Sequence, residues 1–265
     1  MDLRPDLRRH FPGSEAEVFD RVMSLEGEVF RSVARRRTLR FTLDGKGYFV
    51  KIHQGVGWNE IVKNLLQLRL PVLGAANEWR AIRRLEELGV ATMAIAGFGE
   101  RGVPPARLQS FLITDELTNT VSLEDFCRDW PVEPPPVRLK RALIEKVANV
   151  AERLHNSGVN HRDFYICHFL LDRDSVAAPF TPERLTLSLI DLHRVQMRSR
   201  TPRRWLVKDL AALHFSSMDI GLTRRDLLRF LRVYRNRPLR ETLGRERRFW
   251  KAVEKKARWL YQHPC

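Results

Sequence analysis

The sequence predicts an α+β fold in two lobes, a strand-rich N-lobe over residues 1–114 and a helical C-lobe over residues 115–265, together forming one domain. Three observations predict it. Short runs rich in Val, Phe, Thr and Tyr crowd the first part. Long stretches with apolar residues every three or four positions fill the second. The pattern changes once, near residue 115, with no repeat or low-complexity tract on either side.

Each element has a local reason. Ser14 with Glu17 three residues on has the form of a capping box and opens a helix over 14–25. Strands follow over 28–31, 38–43 and 48–53. Between the last two, Asp44-Gly45-Lys46-Gly47 reads as a hairpin, because glycine admits the positive φ such turns need. An amphipathic helix is expected over 58–68, stopped by Pro71, and another over 76–88, ended at Gly89. Two more strands are expected over 92–98 and 107–114. Beyond them come helices over 123–130, 137–156, 204–216, 223–234 and 245–263. Pro131 to Pro136 breaks the first two apart, and residues 172–184, with Pro179 and Pro182, read as an exposed insertion.

The bulk numbers narrow the function. With 265 residues, 43% of them apolar, the chain can bury a real core. The net charge of +15 points to anionic partners. From Gly221 to Cys265 there are 14 Lys/Arg and 4 Asp/Glu, so ten of the fifteen charges lie there. Nucleic acid is not expected, because the basic stretch lacks interleaved stacking aromatics and any groove-reading motif. Cys127, Cys167 and Cys265 are too few and scattered for a disulfide framework or zinc knuckle, which suggests a reducing compartment. No secretory leader and no apolar run of about 18–20 residues is present, so a cytoplasmic protein is expected, touching a membrane surface at most.

The residues that carry chemistry come in a fixed order. His161-Arg162-Asp163 follows directly on the helix over 137–156. Downstream, the apolar run 185–190 ends in Asp191. A helix, a tight loop with one Asp, then a buried strand delivering a second Asp is the working end of a kinase. Asp163 is placed to take the acceptor hydroxyl's proton, and Asp191 to hold the Mg2+ that bridges ATP phosphates. Lys51, after Tyr48-Phe49-Val50, suits the phosphates, and Glu78 in the following helix suits Lys51. Either alone reads as a solvated surface charge; the order Lys, Glu, Asp, Asp gives them weight. All four side chains are expected to converge around one magnesium nucleotide. Thr114-Asp115-Glu116-Leu117 is where a hinge should cross, with backbone groups of Asp115 and Leu117 able to pair with adenine; an ordinary strand-end turn is the other reading.

Three readings stay open for His168: a metal ligand, unusual because Mg2+ prefers oxygen; a donor to phosphate; or a packed histidine beside Phe169-Leu170-Leu171. Cys167 reads as a small buried apolar residue rather than a nucleophile. Asp209 reads either as a brace for the catalytic loop's backbone or as an ordinary helix-surface acid. Two departures from a general protein kinase stand out. Ser32-Val33-Ala34-Arg35-Arg36-Arg37, with no G-x-G-x-x-G, lies between the first two strands. Asp191-Leu192-His193-Arg194 replaces Asp-Phe-Gly, and no Ala-Pro-Glu follows, so control by activation-loop phosphorylation is not expected.

The segments 48–53, 77–81, 161–171 and 190–194 closely resemble the Kdo/WaaP group of kinase-like proteins, over roughly residues 25–220. The resemblance implies a protein-kinase-like fold and transfer of the ATP γ-phosphate to a heptose hydroxyl in the inner core of lipopolysaccharide, at the cytoplasmic face of the inner membrane. By matching position it makes Asp163 the catalytic residue, Asp191 the metal ligand, Lys51 the phosphate lysine and Glu78 its partner.

Such an acceptor is a large glycolipid bearing phosphates and acidic sugars. Between Asp191 and Asp209 stand six basic residues, Arg194, Arg198, Arg200, Arg203, Arg204 and Lys208, and no acid. That stretch should border the acceptor, although a solvated linker has the same composition. The basic, amphipathic C-terminal helices could lie on anionic lipid or grip an acidic protein partner, their apolar faces building the lobe itself. Residues 58–66 are a second candidate for lipid contact, with packing on the N-lobe as the alternative. The competing reading of the whole chain is a catalytically inactive kinase fold that binds anionic lipid or an acidic protein through its basic surface.

Overall fold

The computed structural model describes residues 1–33, 35–55, 74–103 and 107–263. The helix expected over 58–68 lies outside the described residues, as does its lipid-contact reading. The chain divides into two compact units: Met1–Arg84 with Met93–Leu117, and Leu85–Thr92 with Thr118–Cys265.

The first unit is built on one antiparallel sheet. Its elements are β1 (Asp2–Leu3), α1 (Pro5–Arg8), α2 (Glu15–Met23), β2 (Glu28–Val33), β3 (Arg36–Leu43), β4 (Lys46–Gln54), α3 (Ala76–Glu87, whose last turn falls in the other unit), β5 (Ile95–Arg101) and β6 (Gln109–Asp115). The strand order is β1-β5-β6-β4-β3-β2. Helix α2 begins at the expected capping box: the Glu17 amide donates to the Ser14 hydroxyl, and the Glu17 carboxylate accepts from the Ser14 amide. Its Val18, Phe19 and Val22 bury against Leu39, Phe41, Val50, Ile52, Phe111 and Ile113 of the sheet. Asp44 and Gly45 both have positive φ, 48° and 76°, so two residues close the β3–β4 hairpin, and Lys46 already pairs with Leu43. In β4, Tyr48, Val50 and Ile52 point into the core; strand alternation therefore turns Lys51 to the opposite face.

The second unit comprises β7 (Thr120–Ser122), α4 (Leu123–Phe126), α5 (Val137–Asn156), β8 (Val159–Asn160), β9 (Phe169–Asp172), β10 (Leu187–Leu189), β11 (Gln196–Met197), α6 (Arg203–Ser216), α7 (Arg224–Arg235), α8 (Leu239–Arg245) and α9 (Arg247–Gln262). Strands β10-β9-β7 form a small sheet, and β11 pairs with β8. Helix α5 buries Leu139, Leu143, Val147, Ala151 and Leu154, a stripe at helical spacing. Gly158 follows it with φ +78°; a Cβ there would meet the Arg198 carbonyl at 1.8 Å, so the close approach of the two chain segments requires glycine. No helix among the described residues is long and apolar enough to cross a membrane.

The fold class matches the α+β expectation, with four local corrections. The strand expected over 92–98 starts at Ile95, because the Thr92 hydroxyl donates to the Leu189 carbonyl at 2.7 Å in the second unit. The helix expected over 123–130 stops at Phe126 and continues as turns. The one expected over 245–263 runs over Arg247–Gln262, and a separate short helix not expected from sequence, Leu239–Arg245, precedes it, ending where Glu246 leaves helical geometry at φ −110° and ψ 18°. Residues 32–37 are not an open loop: β2 runs to Val33, which pairs with Arg36 at the start of β3.

Candidate active site

In the first unit, Lys51 Nζ donates to Glu78 Oε1 at 2.6 Å. Glu78 sits in the first turn of α3, where a carboxylate is favoured by the exposed amides, and its side chain is 3% exposed. Lys51 keeps 28% of its surface in water, so the pair presents its charged end outward rather than sealing it. At the end of β6, Asp115 accepts from Arg4 at 2.8 and 2.9 Å and from Lys46 at 3.0 Å. Burial opposes ionisation of Asp115, but the Arg4 and Lys46 bonds hold its pKa below the ordinary carboxylate value. The Asp115 amide donates to the Ala94 carbonyl at 2.9 Å, so that amide is already engaged. Glu116, between Asp115 and Leu117, takes a bidentate fork from Arg40 at 2.7 and 2.9 Å.

In the second unit the loop that carries His161, Arg162 and Asp163 hangs on one buried carboxylate. Asp209, fully buried on α6, accepts from the His161 amide at 2.7 Å and the Arg162 amide at 3.0 Å. These two bonds hold Arg162 at φ +77°, a left-handed conformation that a bulky residue adopts only when its surroundings impose it. Behind Asp209, His155 Nε2 lies 3.4 Å from Oδ2 while its Nδ1 meets the Tyr234 hydroxyl at 2.8 Å. Burial pushes the Tyr234 phenol well up, so it stays protonated and donates to the imidazole. The brace reading of Asp209 is the one the geometry supports.

Asp163 follows Arg162. Its carboxylate, 16% exposed, receives Arg194 Nη1 at 2.7 and 3.0 Å on its two oxygens. Its carbonyl accepts from His168 Nδ1 at 2.7 Å. A carbonyl can only accept, so His168 carries its proton on Nδ1, and Nε2 faces Asp191 Oδ2 at 3.6 Å. Asp191 is itself left-handed, φ 61° and ψ 51°, and its Oδ1 accepts from His193 Nδ1 at 2.6 Å. His161, 1% exposed, donates from Nε2 to the Ile190 carbonyl at 3.0 Å; burial pushes its pKa down and keeps it neutral. Asp163, His168 and Asp191 are thus linked by short contacts.

Among the described residues no three His, Cys, Asp or Glu side chains form a metal cage. The Asp191 carboxylate suits Mg2+, which keeps waters and takes substrate phosphates as ligands rather than needing an all-protein site, whereas the adjacent imidazole is a softer donor than Mg2+ prefers. Burial raises the Cys167 thiol to about 11, so it is protonated at neutral pH and a poor nucleophile, as expected.

A family profile described as the lipopolysaccharide kinase (Kdo/WaaP) family matches residues 20–234. The chain belongs to this family. Its relatives include the lipopolysaccharide core heptose(I) kinase WaaP of Pseudomonas aeruginosa, 58% identical over 244 residues, which are 92% of this chain and 90% of that protein. The protein of the same name from Escherichia coli is 51% identical over 259 residues, 97% of this chain and 95% of that one. A solved structure of WaaP in complex with acyl carrier protein superposes with a TM-score of 0.84 at 51% identity, covering 98% of both chains. A kinase family uses ATP, and the strand-rich and helical parts described above fit the family's protein-kinase-like fold.

Three contacts of this family member were not foreseen from sequence. Arg194 grips Asp163, His193 grips Asp191, and His155 with Tyr234 backs Asp209. His193 and Arg194 stand in the segment that carries the family resemblance, which marked them as part of the motif without showing their partners.

Proposed function

We propose that this chain phosphorylates a heptose hydroxyl of the lipopolysaccharide inner core with ATP. Asp163 serves as the catalytic base and Asp191 as the ligand of Mg2+, with His168 Nε2 beside it as a second donor. Lys51, oriented by Glu78, serves the nucleotide phosphates, and the Asp115 carbonyl with the Leu117 backbone meets the adenine. In this reading the nucleotide is covered by the first unit, Met1–Arg84 with Met93–Leu117, and the transfer chemistry falls to the second.

The observation that carries the reading is the Asp209 brace: two amides fixed on one buried carboxylate set the strained turn from which Asp163 projects. When bound, Mg2+ supplies charge neutralisation for the transferring phosphoryl group. The chain's own residues do the rest. Asp163 accepts the hydroxyl proton through a carboxylate oxygen, and loosening of the Arg194 bond to both oxygens raises its basicity for that step. His193 fixes the orientation of Asp191, so that the carboxylate need not reorganise. No Ala-Pro-Glu segment is available for regulation; β11 pairs with β8 within a few residues of Asp191.

The same reading puts the protein at the cytoplasmic face of the inner membrane as a peripheral enzyme, with the basic faces of α7 and α9 toward anionic lipid or an acidic protein. The partner named for the similar solved structure, acyl carrier protein, is proposed here too. The second unit holds a cavity of about 370 Å³ lined by Leu143, Val147, Leu213, Leu227, Leu231 and Trp250, of a chemistry that accepts an acyl chain. Transfer of labelled phosphate from ATP to purified core lipopolysaccharide tests the function. Wild type should transfer, and Asp163→Ala and Asp191→Ala should not. A wild type that transfers to no core acceptor overturns it, as does core lipopolysaccharide from cells lacking this chain that shows no missing phosphate by mass spectrometry.

A further inference from the structure

The six-cation stretch after Asp191 is not a uniform solvated linker. Four cations gather around one indole: Lys208 Nζ stands 4.4 Å from the Trp205 ring centre, and the guanidinium carbons of Arg162, Arg204 and Arg198 stand at 5.3, 5.4 and 5.8 Å. The aromatic ring offers each an electrostatic contact without neutralising any of them. Among the described residues none of the four is within ion-pair distance of a carboxylate. The two nearby acids are otherwise engaged, Asp163 by Arg194 and Asp209 by two amides. Arg198 alone has other partners, the neutral side-chain oxygens of Asn160 and Gln196, both at 2.7 Å.

The crowding has an electrostatic cost. Burial and the neighbouring cations Arg162, Lys256, Arg204 and Arg194 push the Lys208 ammonium below its ordinary value. Burial and Arg194 do the same to the Arg162 guanidinium. Charges held together against their own repulsion, with Asp163 and Asp209 only partly offsetting Arg162 and no described carboxylate in ion-pair distance of the four, are complementary to an oxyanion that arrives from outside. Arginine forks and one ammonium are the donor set that takes carboxylate or phosphate oxygens.

We propose that Arg162, Arg204 and Lys208, gathered on Trp205, form a subsite for an anionic group of the acceptor, a sugar carboxylate or phosphate, next to the hydroxyl that is phosphorylated. This rests on the kinase reading above, because it assigns the subsite to the acceptor and not to a separate ligand. Arg162 adjoins Asp163 in the chain, so the subsite sits beside the reacting carboxylate. Arg194, which bonds Asp163 and also lies within electrostatic reach of Arg162 and Lys208, belongs to both groups. An anion bound in the subsite competes for Arg194 and so favours release of Asp163.

The test uses the full chain with Arg204→Gln, Lys208→Gln and the double substitution, all on exposed positions that leave the loop brace intact. The probe is heptose-bearing core oligosaccharide in three forms: native, carboxyl-reduced and dephosphorylated. The double variant should raise the acceptor KM about ten- to hundred-fold on native oligosaccharide, the effect of losing charge-assisted bonds, with KM for ATP within about two-fold. On the form lacking the recognised anion, wild type and variant should converge, and whichever form does this identifies carboxylate or phosphate. An unchanged acceptor KM, or a rise in KM for ATP instead, overturns the subsite. Calorimetric binding of the same oligosaccharides separates the two readings: wild-type binding that the variant loses, without turnover, sinks the kinase assignment and keeps the subsite.

Discussion

Lys51 and Glu78 project from a strand and a helix with ordinary backbone geometry, whereas Asp191 is left-handed and Asp163 follows a left-handed Arg162. The first pair needs no support beyond the sheet, because strand alternation and a helix N-terminus already aim it. The second pair needs a buried polar network, Asp209 with His155 and Tyr234 behind it, to impose angles that the chain would not otherwise keep. The two units thus divide the task by how much free energy they invest in position. The first exploits regular structure; the second stores strain next to the Asp163 carboxylate and stabilises it from below.

The largest expected effect separates chemistry from support. Asp163→Asn keeps size and removes the charge, and should cut kcat by about 100- to 10,000-fold while leaving the unfolding midpoint near that of wild type. The loss comes from proton transfer, since the Arg194 ion pair that also disappears has one partner 42% exposed and contributes little to stability. A large fall in thermal stability with Asp163→Asn would show that the carboxylate props up the loop instead.

Asp209→Ala probes the brace from the other side. It leaves the His161 and Arg162 amides without acceptors in a buried place, at about 1–3 kcal/mol for each unsatisfied group. Stability should fall by an amount readable in a urea titration, and kcat should fall with it although Asp209 touches no reactant. Wild-type kcat in a destabilised Asp209→Ala protein would break the contrast between the units, because the turn would then hold itself.

Glu78→Gln should act more mildly and on a different constant. Lys51 loses its ionic partner but keeps part of its hydration, so stability should change by no more than about 1 kcal/mol. The phosphate contact should suffer first, as a rise in KM for ATP larger than any fall in kcat. An effect of Glu78→Gln confined to stability would make the pair structural.

The same contrast governs what the sequence could show. Lys51 was legible because alternation along 48–53 fixes which side chains turn inward, and the hairpin at Asp44-Gly45 fixes the start of the strand. Helix α5 was legible to the residue from its apolar stripe and the glycine beyond it. The Arg194–Asp163 pair was not, because 31 residues separate the partners and the bond depends on how two irregular loops turn. Asp209 stayed ambiguous for a related reason: helical spacing gives a face, but whether that face meets the loop's amides depends on packing. Strand β1 and helix α1 span two and four residues, too few for any period to register. The Arg/Ser segment at 32–37 read as lying between strands because arginines are poor evidence for a strand, yet Ser32 pairs with Arg37 and Val33 with Arg36.

Acid should separate the units again, with the smallest effect. In the second unit His161 and His214 are held neutral by burial, their values pushed below the ordinary one. Their unfolded forms bind protons first, near pH 6.5, so the stability they supply is full above that value and falls as pH drops below it, until the folded groups protonate in turn. In the first unit the shifted carboxylates go the other way. Asp6 is held at about 2 by Arg4, and Asp115 is held low against its burial by Arg4 and Lys46. Their stabilisation persists down to the unfolded carboxylate value near about 4 and is lost only as pH falls through the folded values. Hydrogen exchange corrected for intrinsic rates should therefore show residues 159–168 losing protection between pH 7.5 and 5.5 while β3 and β4 keep theirs, a window set by the histidine and carboxylate reference values. In His161→Gln the pH-dependent part of that loss should shrink, even if the variant starts less stable. Equal loss in both units, or an unchanged pH dependence in His161→Gln, would mean that the buried histidines do not set the second unit's response to acid.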